Sequence, residues 1–165
     1  MDIFAVLNEL RIPFEQVNHP AVFTVEQAKK RVPPMRGANT KNLFVRNKRG
    51  NRHFLLIVGY EKQVDLKALA KKIEVSPLSL ASPERLWTHL GVEPGSVSLL
   101  AITNDMESTV DIIIDHSLLD EEYWKCHPHV NTSTLSIAVT DIVRVMDQTK
   151  HRYQVVDVPE RDLSR

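Results

Sequence analysis

Thr40-Lys41-Asn42-Leu43-Phe44-Val45-Arg46 leads through Asn47-Lys48-Arg49-Gly50-Asn51 into His53-Phe54-Leu55-Leu56-Ile57-Val58-Gly59-Tyr60. The two flanking runs are rich in Leu, Val, Ile and Phe, and the segment between them has turn-forming composition. The whole reads as two antiparallel strands joined by a hairpin turn. A second such pair is expected further on, with Ser96–Thr103 and Thr109–Asp115 around Asn104–Ser108. Two hairpins break any purely parallel pattern, so the fold class is mixed α/β (α+β-like) and not a doubly wound sheet.

Helices and further strands frame these hairpins. Met1–Leu10 carries Ile3, Phe4, Val6, Leu7 and Leu10 at helical spacing. Pro13 favours an extended Phe14–Asn18. Thr24 with Gln27 forms a capping box, opening a helix that runs to about Arg31 and stops at Pro33-Pro34. Val64–Ile73 is helical, Leu78–Ala81 a short strand, and Ser82-Pro83 starts a helix ending near Leu90-Gly91. His116–Glu122 reads as a helical turn, Thr132–Ala138 as a strand, Thr140 as the cap of another helix, and Tyr153–Val158 as a last strand. No repeat, low-complexity tract or linker divides the 165 residues, so residues 1–165 are expected to form a single domain.

Composition excludes several classes. No apolar run approaches the roughly 20 residues of a membrane span, and Met-Asp-Ile-Phe lacks the basic start of a signal peptide. One cysteine, Cys126, cannot build an internal disulfide framework and fits a reducing cytoplasm. Net charge is zero, but nine basic residues and no acid lie between Lys29 and Arg52, while Leu86–Trp124 holds acids and no Lys or Arg. Such a chain is no general nucleic-acid coater. The basic stretch either holds a few phosphates locally or is a solvated hairpin.

Three motifs carry possible chemistry. Lys41 shares a strand face with Leu43 and Val45: if that face is internal, a lysine points toward a core or cleft, and if Asn42, Phe44 and Arg46 face inward, Lys41 is a surface residue. Gly91-Val92-Glu93-Pro94-Gly95-Ser96 allows a tight turn whose backbone N–H groups can hold a phosphate or an oxyanion, or it is a plain helix-to-strand loop. His127-Pro128-His129 has metal-like spacing but no third clustered ligand, so no metal is expected and His127 reads as a polar wall of a cleft. Cys126 reads as a small buried residue before it reads as a nucleophile. Nucleophile-elbow, Walker and dinucleotide-binding patterns are absent, and no cofactor is expected.

Six blocks, in order, cover nearly the whole chain: His19-Pro20-Ala21-Val22-Phe23-Thr24, Gly37-Ala38-Asn39-Thr40-Lys41-Asn42-Leu43-Phe44, Val64-Asp65-Leu66-Lys67, Ala81-Ser82-Pro83-Glu84-Arg85-Leu86, Gly91–Val97 and His127-Pro128-His129-Val130-Asn131. This ordered set resembles the prolyl-tRNA editing domains of the YbaK/ProX type, and within them the branch acting on alanyl-tRNA(Pro). The resemblance implies a twisted, mostly antiparallel, partly barrel-like sheet surrounded by helices. It implies a stand-alone deacylase that hydrolyses mischarged tRNA(Pro) by size exclusion and substrate-assisted ester hydrolysis; a non-catalytic module binding the tRNA acceptor end or a synthetase is the alternative. Lys41 matches the family's key lysine, acting with Gly91 and Gly95. Asn42, Asn39, Thr40, Pro94, Ser96, His127 and Asn131 would bind substrate, and Lys29, Lys30, Arg36 and Arg46 would contact tRNA. Asn39 stands where family members often carry His, which alters one pocket edge. The expected partners are the tRNA(Pro) acceptor end and, transiently, prolyl-tRNA synthetase or an elongation factor, in the cytoplasm and without a membrane.

Overall fold

The computed structural model describes residues 2–162. Its centre is the first expected hairpin. Strand β2 (Thr40–Arg46) pairs antiparallel with β3 (His53–Gly59) from Thr40 opposite Gly59 to Arg46 opposite His53. The turn is tied by Asn47, whose Oδ1 accepts from the amides of Asn51 and Arg52 at 3.1 Å each. Residues 53–58 are all buried, so β3 is covered on both faces. Leu55 and Ile57 enter one core with Phe44, and Phe54, Leu56 and Val58 enter a second with Leu43 and Val45.

The remaining elements supply those two cores. Helix α1 (Ile3–Glu9) is capped by Asp2 and buries Ile3 and Leu7; Met1, the first residue of the expected helix, lies outside the described residues. Strand β1 (Glu15–Asn18) precedes α2 (Val25–Arg31). The capping expectation for α2 holds: Thr24 Oγ1 accepts from Gln27 N–H (3.1 Å), while Gln27 Oε1 accepts from Phe23 N–H (2.8 Å). Helix α3 (Leu66–Lys72) closes the second core. Strand β4 (Ser79–Leu80) pairs with the end of β2. Helix α4 (Pro83–Leu90) starts on Ser82 and ends at Gly91, whose φ of 61° is the left-handed conformation that favours glycine at a helix end.

The second expected hairpin does not form. Leu99–Asn104 is a 3-10 turn packed in the first core, and β5 (Val110–Asp115) lies parallel to β3. Its run Ile112-Ile113-Ile114 is apolar on both faces, as a central parallel strand requires. His116–Asp120 is the expected helical turn, in 3-10 form. It leads into β6 (Tyr123–Cys126), a strand not foreseen because Lys125 interrupts its apolar run. β7 (Ser133–Ala138) pairs antiparallel with β1 and β6. Helix α5 (Val139–Thr149) begins two residues earlier than Thr140 predicts, on Ala138, with no side-chain cap. β8 (Tyr153–Val156) adds in parallel beside β5.

The result is a five-stranded sheet, β4-β2-β3-β5-β8, and a three-stranded sheet, β1-β7-β6. Four of the six strand pairings are antiparallel. One parallel bridge, Ala38 to Trp124, joins the two sheets, so the surface curls partway round the first core.

A buried polar knot braces the end of the 3-10 turn. The Asp105 carboxylate accepts from Val110 N–H (2.8 Å), Thr109 Oγ1 (2.9 Å) and His151 Nε2 (2.8 Å). Burial alone would raise its pKa, but these bonds outweigh burial and hold it down at about 2. The carboxylate is therefore expected to contribute stability that is complete above its unfolded value near 3.8 and is lost as pH falls toward 2. Asp105→Asn is expected to lower the unfolding free energy by about 2 kcal/mol at neutral pH and to flatten the pH 4 to 2 limb of stability, both readable in urea titrations at several pH values.

Candidate functional site

A cavity of about 580 Å³ opens where the start of β2 meets the ends of β6 and β7. That is ample for a small ligand with part of a larger one. Asn39, Thr40 and Asn42 line it from β2 and its lead-in, Lys125 and Cys126 from β6, His127 from just past its end, and Thr134 from β7. Helix α2 and Val32-Pro33-Pro34 form the outer wall, placing Lys29, Lys30 and Arg31 at the mouth. No acidic residue lines it.

The backbone ladder explains the convergence. Ala38 N–H donates to Tyr123 O (2.8 Å) and Lys125 N–H donates to Ala38 O (3.0 Å), so residues 38–40 run beside β6. Thr40 Oγ1 then donates to Lys125 O (3.0 Å). Asn42 is two residues further on the same face. Its Oδ1 is buried without a hydrogen-bond partner among the described residues. An unsatisfied buried acceptor is costly unless something else uses it.

His127 is set as a neutral acceptor. His127 Nδ1 faces Ser133 O at 3.2 Å; a carbonyl only accepts, so the proton sits on Nδ1 and Nε2 keeps a lone pair. Burial lowers the His127 pKa, only partly offset by that bond. Ser98 Oγ donates to His127 O (2.8 Å), which holds this stretch of backbone. By the same logic His19 donates from Nδ1 to Pro20 O (2.9 Å), and its Nε2 accepts from Thr134 Oγ1 (2.8 Å). The Thr134 oxygen is left able to accept from the cavity. Burial pushes the Cys126 thiol up to about 12, which removes it as a nucleophile at neutral pH.

Several expected site residues sit elsewhere. Lys41 does not line the cavity. It shares a face with Leu43 and Val45, on the α3 side of the sheet, and its ammonium donates to the carbonyl of Lys62. Burial there lowers its pKa. Gly91 is a helix end: its N–H is taken by Trp87 O at 3.0 Å, so it has no amide to offer an oxyanion. The Ser96 N–H is likewise taken by Glu93 O, and Pro94 has none. Gly95 packs against Phe23 and Asn131, none of the three lining the cavity. Asn131 Nδ2 donates to Val22 O (3.0 Å) and so positions a lining residue. Arg36 pairs with Glu15 (2.7 Å) and lies over Tyr123. Arg46 is six strand steps from Thr40, about 20 Å away, beside Arg85 and the neutral His53.

The sequence reading missed Lys125, Thr134, Ser98, Tyr60 and His19 as site residues. Lys125 left one signal, a lone charge between the core residues Trp124 and Cys126. For Thr134, Ser98 and Tyr60 no local signal exists. His127 and His129 do not share a site, since His129 lies off the cavity with Nε2 3.5 Å from Thr103. The one grouping with metal-like geometry among the described residues, Asp115, His116 and Asp157, is also away from the cavity, and Asp115 is already bonded to Val158, Ser117 and Lys62.

Asn42→Leu is expected to raise the unfolding free energy by about 1 kcal/mol, by removing the orphaned acceptor, while abolishing ligand binding in the cavity. Denaturant titration and a ligand-induced thermal shift measure the two effects separately.

Comparison with known proteins identifies the family. The family model for the aminoacyl-tRNA editing domain matches residues 19–145. The chain is 28% identical over 156 residues to the prolyl-tRNA editing protein ProX of Acetoanaerobium sticklandii, covering 94% of this chain and 95% of that one. It is 33% identical over 147 residues to the prolyl-tRNA synthetase associated domain-containing protein 1 of Danio rerio, covering 88% and 79%. A solved structure described as a candidate trans-editing enzyme for prolyl-tRNA synthetase superimposes with a TM-score of 0.69 at 20% identity, over 97% and 98% of the two chains. At that identity the superposition speaks for the fold, which is the editing-domain fold. With the family model matching residues 19–145, a span that contains the whole cavity lining, the chain belongs to the aminoacyl-tRNA editing domain family, the hydrolases that remove amino acids from wrongly charged tRNA.

Proposed function

We propose that this chain hydrolyses mischarged tRNA(Pro) in trans, with alanyl-tRNA(Pro) as its preferred substrate. One observation carries the reading: within the matched family, the chain holds an acid-free cavity with cations at its mouth and hydrogen-bonding groups inside. The mouth cations Lys29, Lys30 and Arg31 suit the phosphates of the acceptor end. The interior suits an uncharged ester flanked by ribose hydroxyls. About 580 Å³ exceeds what an alanyl group fills and fits an aminoacyl group with part of the terminal nucleotide.

In this mechanism water attacks the ester carbonyl, the bond to the ribose oxygen breaks, and the proton from water ends on the released hydroxyl. His127 Nε2 and Thr134 Oγ1 accept from the water or the adjacent ribose hydroxyl. Asn42 and Thr40 orient the acyl group, with Asn39 at the edge where relatives carry His. Lys41 acts as a positioning residue: by holding Lys62 O it fixes the turn after β3, and with it Tyr60 on the cavity wall. Discrimination against proline follows from the limited space around the acyl group.

The test is deacylation of tRNA(Pro) charged with alanine, serine, cysteine or proline. Alanyl-tRNA(Pro) is expected to be cleaved fastest and prolyl-tRNA(Pro) at background; tight acceptor-end binding without cleavage of any species would replace the enzyme with a binding module. Lys41→Ala is expected to lose activity together with thermal stability, and Lys41→Arg to regain both; parent-like cleavage by Lys41→Ala would remove the positioning role. Because burial keeps His127 neutral, the rate is expected to hold as pH falls through 6.5, where an ordinary histidine protonates, and to drop only below it. A pH–rate profile with alanyl-tRNA(Pro), corrected for uncatalysed hydrolysis at each pH, checks this.

A further inference from the structure

The cavity's mouth cations are exposed, but one cation is set into its wall. Lys125 is half-buried on β6, between Trp124 and Cys126, both in the core. Burial lowers its pKa from the ordinary lysine value. No carboxylate pairs with it among the described residues, and none lines the cavity. An unpaired, partly desolvated ammonium is expensive to maintain.

The surrounding chain is shaped to keep it there. Both backbone groups of Lys125 are held, N–H by Ala38 O and carbonyl by Thr40 Oγ1. Gly37 passes directly against its stem: a Cβ on Gly37 would lie 3.2 Å from Lys125 Cγ and 3.3 Å from Ser136 Oγ. Gly37 has φ 122°, a conformation other residues rarely adopt. Ser136, opposite Lys125 in the β6–β7 register, is buried with its hydroxyl lacking a partner among the described residues. The same wall carries His127 two residues on, and Asn42 across the ladder.

We propose that Lys125 is the residue that stabilises the negative charge developing on the ester carbonyl oxygen, a role for which the sequence pointed instead to the backbone amides of the Gly91–Gly95 loop. This rests on the deacylase reading above. As water adds to the carbonyl carbon, the carbonyl π electrons move onto oxygen. When the carbonyl re-forms, the ribose oxygen leaves with a proton from the water. Lys125 stays protonated throughout. In a water-poor site its attraction for the oxyanion is far stronger than at the surface.

Lys125→Met keeps the apolar stem and removes the charge. It is expected to lower kcat for alanyl-tRNA(Pro) by about 10²–10³-fold with KM nearly unchanged, because the charge exists only in the transition state. Its melting temperature is expected to match or exceed the parent's, and Lys125→Arg to restore at least part of the rate. Lys67→Met, on the exposed face of α3, serves as the control. A raised KM at unchanged kcat, parent-like rates, or a rate loss that tracks unfolding and resists Lys125→Arg would each overturn the assignment. Binding of a 1-aminoethylphosphonate monoester of adenosine, a tetrahedral anion, separates this proposal from the parent reading. Even if no mischarged tRNA is cleaved, the parent is expected to bind it at least tenfold tighter than Lys125→Met, and equal binding overturns the role of Lys125.

Discussion

The antiparallel register of β2 on β3, with both faces of the pair covered, is the constraint on which the rest of the structure depends. Strand side chains alternate, so covering both faces commits every residue of β2 to one of two environments. Leu43 and Val45 go to the α3 side, and Phe44 goes to the larger core. Lys41 must follow the first set and Asn42 the second. A one-residue slip would exchange them, and would expel Phe44 and Val45 from their cores. The apolar residues at the far end of the strand thereby decide which polar residue at the near end meets the cavity.

Electrostatics then follow from what burial leaves in place. Around the single ammonium of Lys125 in its wall, the cavity collects groups that can lose their water without carrying charge: amide, hydroxyl and the His127 imidazole, whose Nδ1 proton is tied to a backbone carbonyl. The buried carboxylates stay elsewhere with compensation, in the bonds around Asp105 and in the Lys62 ammonium 3.1 Å from Asp115. A site free of fixed negative charge suits a polyanionic ligand whose reacting centre itself turns negative. The basic stretch seen in the sequence is divided by folding. Lys29, Lys30 and Arg31 reach the mouth, Arg36 and Arg52 take acidic partners, and Arg46 ends at the opposite end of β2.

Where the sequence misled, the physical reason is specific. Ser96–Thr103 looks like a strand because its apolar residues are contiguous, yet contiguous burial suits a 3-10 turn inside the core equally well. β6 was hidden by Lys125, since a charge in an apolar run counts against a strand until a cavity beside it is known. The glycine loop promised free amides, but Gly91 has already spent its own on ending α4.

By itself the sequence determined the mixed fold class, the first hairpin, most helix starts with their caps, and the family to which the chain belongs. Each of these rests on local chemistry: turn residues, capping side chains, alternation and the order of short motifs. Only the tertiary structure decided which face of β2 looks inward, that β5 and β8 run parallel to β3, and that Lys125 stands in the cavity wall while Lys41 braces the turn behind it. Those outcomes depend on pairings between residues far apart in the chain, such as Ala38 with Trp124 and Thr40 with Lys125. Periodicity within a segment shows that a strand has two faces; only its partners determine which of them meets the cavity.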